Sequence, residues 1–77
     1  MRETVLDGKR ISYSDDTVFR IQVGKGRKGS YGQTKYNIKG NLAQAVALYN
    51  GINIGNGYKK RLLMIPSNKP VLARATS

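Results

Sequence analysis

Three features of the 77-residue sequence predict an α+β fold, a small antiparallel sheet of four to five strands packed on one short α-helix. Polar and apolar residues alternate over 17–23 and again over 33–39, the period of a half-buried strand. At Gly40-Asn41 the period changes from two to 3.6, and after residue 57 an extended apolar pattern returns. The order read from these signals is β-β-β-β-α-β, in a single domain of residues 1–77. No repeat, heptad pattern or interdomain linker interrupts it.

Each element has a local cause. Thr4-Val5-Leu6 and residues 9–13 flank Asp7-Gly8, a pair suited to the positive φ angles of a two-residue type I′ turn, which predicts a first hairpin within residues 1–16. After the Ser14-Asp15-Asp16 turn, Phe19, Ile21 and Val23 fall on one face of a strand, and Val18, Arg20 and Gln22 on the other. Residues 24–32 hold four glycines and three cations and read as a loop between strands. In the next strand Thr34, Tyr36 and Ile38 are expected inward, and Gln33, Lys35, Asn37 and Lys39 outward.

Leu42, Ala45, Val46 and Tyr49 recur at i, i+3, i+4 and i+7, one face of an amphipathic helix over 42–50. Asn41 suits the N-cap and Gly51 a left-handed C-cap. A helix this short needs tertiary packing, since isolated helices under ~12–15 residues are marginal. Its apolar face is expected to lie on Phe19, Ile21, Val23, Tyr36 and Ile38. Tyr58–Ile65 then forms a strand ended by Pro66, and residues 66–77 form a C-terminal extension with room for a sixth short strand at Val71-Leu72-Ala73.

Charge narrows the function. Fourteen Lys and Arg stand against four acids, a net +10, and the acids Glu3, Asp7, Asp15 and Asp16 all lie in the first sixteen residues. Residues 17–77 carry eleven cations and no acid, while residues 40–57 carry no charge. Such a balance points to nucleic acid, an anionic membrane or an acidic protein surface. The one predicted helix is uncharged, which argues against a membrane-surface helix. The longest apolar run, Leu62-Leu63-Met64-Ile65, is far too short to span a bilayer.

Glu3 and Asp7 stand where a secretory signal needs a hydrophobic segment. Absence of Cys and His excludes disulfide frameworks, zinc fingers, thiol nucleophiles and imidazole bases. The expectation is a cytoplasmic protein, in the host cytoplasm if viral. A core this small leaves only ~3–5 kcal/mol of net stability, so a partner or a homodimer has stability to contribute.

Within the loop, Gly24-Lys25-Gly26-Arg27-Lys28-Gly29 matches G-x-G-x-x-G after a strand, but a strand rather than a helix follows and no acid lies downstream to hold a ribose. The loop reads instead as a cationic segment whose backbone N–H groups and Lys25, Arg27 and Lys28 grip phosphates. On the outward face of the two alternating strands, Arg20, Gln22, Lys35, Asn37 and Lys39 mix cations with amides. Those types suit base edges as well as phosphates: Arg and Lys at guanine, Gln and Asn at adenine.

Lys59-Lys60-Arg61 is the densest cationic run and joins the candidate nucleic-acid-binding set. Lys60 must point away from its two neighbours along a strand. Tyr31, beside the glycine loop, and Tyr58, leading Lys59-Lys60-Arg61, have two readings, as base-stacking platforms or as cover for a sheet edge. Tyr36 and Tyr49 occupy core-facing positions. Adjacent Asp15 and Asp16 with Asp7 or Glu3 make neither a metal site nor a catalytic pair, so no enzyme, cofactor or metal is expected.

The run Ile38-Lys39-Gly40-Asn41-Leu42-Ala43-Gln44-Ala45-Val46-Ala47-Leu48-Tyr49-Asn50 follows the spacing of a capped, alanine-rich helix ending in Tyr-Asp/Asn. In this, residues 17–50 resemble the AP2/integrase-arm type of DNA-binding domain, although Ala43 stands where that pattern has an acid. The resemblance implies three antiparallel strands presenting a polar face to the major groove with one helix behind. It also implies that Arg20, Gln22, Lys35, Asn37 and Lys39 face the groove.

Charge, face and loop together predict a small non-enzymatic nucleic-acid-binding protein, with DNA favoured over RNA. The competing expectation is a small phage-type effector or inhibitor that docks its basic face on an acidic surface of a larger enzyme.

Overall fold

The computed structural model describes residues 1–26 and 30–75. Its elements are β1 (Arg2–Leu6), β2 (Lys9–Tyr13), β3 (Val18–Lys25), β4 (Gln33–Lys39), α1 (Leu42–Gly51), β5 (Tyr58–Ile65) and β6 (Lys69–Ala75). The expected α+β class and element order hold. β6 is a full strand of seven residues rather than a short extension.

β1 and β2 form a hairpin in register Leu6 to Lys9, with Asp7 at φ 51° and Gly8 at φ 75° as the turn pair requires. The other four strands form one antiparallel sheet in the order β4-β3-β5-β6. The helix is thus inserted between β4 and β5, and the strand it leads to pairs with β3 in the middle of the sheet. Within residues 17–50 there are two strands and the helix, and the third strand beside β3 comes after the helix.

Residues directly opposite each other across a sheet share a face. Phe19 opposes Ile38 and Met64, and Ile21 opposes Tyr36 and Leu62, so these rows face the helix. Phe19, Ile21 and Leu62 are completely buried; side chains of this size contribute roughly 1.5–3 kcal/mol each by leaving water. Leu42, Ala45 and Tyr49 of α1 pack on them, with Val46 half-buried alongside, as the 3.6 period requires.

The hairpin packs on the same face. Ile11 enters the core, and the Tyr13 ring stands edge-on to Phe19 at 5.3 Å between centroids. Helix and hairpin therefore cover one side of the four-stranded sheet.

Two expectations about this side are corrected. Tyr36 is 42% exposed rather than buried, because β4 is the edge strand and α1 lies mainly over β3 and β5. Gly51 is the last residue of the helix rather than a left-handed cap; the C-cap is Ile52 in an extended conformation. Asn41 does cap the N-terminus, its Oδ1 accepting from the Gln44 N–H at 3.0 Å.

Candidate nucleic-acid interface

The face of the sheet away from helix and hairpin is built by the alternate residues of the same strands. Arg20 lies between Asn37 and Leu63, Gln22 between Thr34 and Arg61, and Gly24 beside Lys59. Among the described residues no helix or strand crosses this face.

Its polar side chains hold one another in place. Arg20 Nε donates to Asn37 Oδ1 at 2.9 Å, and Arg61 Nε donates to Gln22 Oε1 at 2.9 Å. Gln22 Nε2 in turn donates to Thr34 Oγ1 at 3.4 Å. Each guanidinium is anchored through Nε, which leaves the terminal nitrogens as the fork that reads a base edge or phosphate bidentately.

At the end of the face nearest the glycine loop, the Tyr31 ring packs against Arg61 (4.0 Å from centroid to Cζ) and Lys59 (4.5 Å to Nζ). Gly24 makes this possible. A Cβ there would lie 2.6 Å from the Ser30 carbonyl oxygen and 2.9 Å from Tyr31 Cα, so only glycine lets the loop fold back onto the strand.

The face is electrically graded from one end to the other. At the start of β3, Lys39 Nζ lies 3.8 Å from Asp16 Oδ1, while Arg2 pairs with Asp15 and Arg10 with Glu3 in and beside the hairpin. These pairs are exposed and energetically weak, but Asp15 and Asp16 lie at the end opposite Lys59 and Arg61; Asp7, at the hairpin tip, instead lines a hollow with Tyr49 and Arg74 on the helix side.

Of the candidates read from sequence, Arg20, Gln22, Asn37, Arg61 and Tyr31 come together on this face, with Lys39 at its acidic end; Lys59 is on the same side of the sheet but only 6% exposed, its ammonium against the Tyr31 ring, so it is not the open contact expected of it. Lys25, exposed at the end of β3, lies next to the face rather than on it. Arg27 and Lys28 lie outside the described residues. Three candidates are elsewhere.

Lys35 is displaced by a register shift between Ile21 and Gln22, where Ile21 pairs with Tyr36 and Gln22 already pairs with Thr34. The bulge reverses the expected alternation below Tyr36. Thr34 joins the open face, while Lys35 lines a cleft with Val23 and Ile52 on the helix side. Tyr58, opposite Lys25, lies on that side too.

Lys60 is 4% exposed and points under the helix. Its Nζ donates to the carbonyl oxygens of Tyr49 (2.7 Å) and Ile52 (2.9 Å) and sits 4.4 Å from the Tyr49 ring centroid. Burial holds this ammonium below the ordinary lysine value, with the charge of Arg74 lowering it further. Burial likewise pushes the Tyr49 phenol up. Lys60 is therefore a helix cap supplied from the sheet, and it cannot reach a ligand on the open face.

Thr34 and Gly24 were not legible as parts of the interface. The bulge that turns Thr34 outward has no local sequence mark, and Gly24 counts as one glycine among several until the returning loop is seen.

Among the described residues, no group of three or more acids, His or Cys could hold a metal ion, and no helix is long and apolar enough to cross a membrane. Set against known protein families, curated proteins and solved structures, the chain finds no match.

Proposed function

We propose that this chain is a small, non-enzymatic protein that binds double-stranded DNA through the open sheet face and the cationic glycine loop. One observation carries the reading: Arg20 and Arg61 are pre-oriented along an uncovered sheet face by Asn37 and Gln22. Anchored forks and amides suit base edges, whereas a site built only for charge has no use for the amides.

The dimensions support a duplex. A major groove about 12 Å wide admits a two-stranded ribbon, and strands lie ~4.8 Å apart. The β3–β4 ribbon, with Arg20, Gln22, Thr34 and Asn37, enters the groove, and Arg61 reaches the adjoining phosphate, while Lys59, 6% exposed, adds positive charge from beneath rather than a direct contact. A-form RNA offers a major groove too narrow for this approach. Stacking on single strands is less well served: Tyr31 is the aromatic residue on this face among those described, and its ring already contacts Arg61 and Lys59.

A gel-shift panel of blunt duplex DNA, single-stranded DNA and duplex RNA at two salt concentrations tests the proposal. Duplex DNA should bind tightest, and neutralising about six phosphates should give a slope of log K against log[salt] near −5. A salt-independent affinity, or capture from lysate of a protein partner that survives nuclease treatment with no duplex binding, would defeat it in favour of docking on an acidic protein.

A further inference from the structure

Lys35 and Tyr58, two of the candidates that the open face does not hold, meet on the other side of the sheet. They line a cleft of about 270 Å³ between β4 and the segment that follows the helix. A second cleft, of about 420 Å³, adjoins it around Tyr58 and reaches Lys25. Each is close in size to the small end of ligand pockets, ~300 Å³.

The chemistry of the lining is specific. Val23, Ile52 and Ile54 supply an apolar wall, and Gln33 and Asn53 bring amides to it. The Tyr58 ring is 43% exposed although its backbone is fixed, its N–H donating to the Gly55 carbonyl at 3.1 Å. Gly55 leaves that ring uncovered; a Cβ there would sit 3.6 Å from Tyr58 Cδ2, in ordinary contact. Neither cleft is lined by an acid.

A helix C-terminus beside this cleft would ordinarily repel an anion, since it carries about half a negative charge. Here the Lys60 ammonium is bonded to the Tyr49 and Ile52 carbonyls. The negative end of α1 is thereby neutralised where Ile52 forms the cleft wall.

We propose that this cleft binds one nucleobase with its 5′-phosphate, the base stacked on Tyr58 against the aliphatic wall and the phosphate held by Lys35 and Lys25. The ligand is a free mononucleotide or the unpaired terminal nucleotide of a strand. Recognition of a ring with an attached phosphate is common to both. The site lies off the open face, so it stands or falls separately from duplex binding.

NMR titration of the full chain with 5′-AMP, ribose 5-phosphate and inorganic phosphate tests it. AMP should shift the amide signals of Val23, Ile54 and Tyr58 and bind at least about tenfold tighter than ribose 5-phosphate, the contribution expected of base stacking. Tyr58→Ala should remove that advantage. Gly55→Leu, which plugs the cleft at a position without positive φ, should do the same while leaving the rest of the spectrum in place.

A duplex with a single unpaired 3′ nucleotide, compared with its blunt counterpart, separates the sources. Preference for the overhang assigns the site to strand ends, and AMP binding without that preference assigns it to free nucleotides. Equal affinity for AMP and ribose 5-phosphate, shifts confined to the Arg20–Arg61 face, or AMP binding unaltered by Gly55→Leu would overturn the proposal.

Discussion

The Lys60 ammonium donates to the carbonyl oxygen of Tyr49 at 2.7 Å, so that a strand residue closes the helix that packs above it. The same Nζ donates to the Ile52 carbonyl, and it adds a second donor to the Tyr49 carbonyl, which also accepts from the Ile52 N–H at 3.3 Å. Lys60→Met keeps the stem but leaves both carbonyls without that donor beneath the helix. Hydrogen bonds to charged groups are worth about 1.5–3 kcal/mol, so the variant should lose on the order of 2 kcal/mol in urea unfolding. An unchanged midpoint would show that water replaces the ammonium without cost.

The pair also sets an alkaline signature. Lys60 is held below its ordinary 10.5 by burial and then by Arg74. In the window between its depressed value and 10.5 the unfolded chain binds more protons, so the Lys60 contribution to stability rises with pH. Tyr49 acts in the other direction. Its pKa is raised above 10.0, chiefly by burial, so its contribution is complete below 10.0 and is lost as pH climbs through the folded value. Urea unfolding at a series of alkaline pH values should show the rise on the approach to pH 10.5 in the wild type and lose it in Lys60→Met, with the fall due to Tyr49 retained. A rise that persists in Lys60→Met would assign it to another group.

Where sequence reading succeeded, the signal was local and periodic. Asp7-Gly8 marks its turn, Asn41 its cap, and Leu42, Ala45 and Tyr49 their common face, because each depends on neighbours within a turn of chain. Where it failed, the cause was distant. Lys35 and Thr34 exchanged sides because β4 slips by one residue against β3. Gly51 was not needed as a cap because Lys60, from a strand nine positions later in the chain, already serves the helix end. On the interface, residue types identified Arg20, Gln22, Asn37 and Arg61, but their mutual hydrogen bonds depend on which strands are paired.

Gly24 carries a prediction that joins fold to interface. Gly24→Val places atoms where the Ser30 carbonyl and Tyr31 Cα already stand, at 2.6 and 2.9 Å from the first added carbon. Overpacking of this kind costs about 1–3 kcal/mol. The loop, rather than the core, should yield, because Gly24 lies on the open face. Thermal unfolding should fall modestly while duplex affinity falls more, since Tyr31 loses its place beside Arg61. If affinity is untouched, the folded-back loop has no part in binding.

Arg61 and Lys60, adjacent in sequence, should behave oppositely in DNA binding, and this contrast is the most direct test of the interface. Arg61 Nε is anchored on Gln22 at 2.9 Å with its terminal nitrogens on the open face, whereas Lys60 is buried beneath the helix. Arg61→Met removes a cation that the proposed duplex binding sets against a phosphate, and should weaken all duplexes alike, reducing the salt slope by about one. Lys60→Met, assayed where it remains folded, should leave affinity and slope as they were. Arg20→Ala should differ from both, costing about 1–3 kcal/mol on a preferred sequence and less on others, because its fork is held by Asn37 for a base edge. Asn37→Ala should reproduce part of that change, since it frees the same guanidinium. Fluorescence-anisotropy titrations of the four variants on a preferred and a scrambled duplex separate these outcomes, and equal losses for Lys60→Met and Arg61→Met would place the DNA on some other surface.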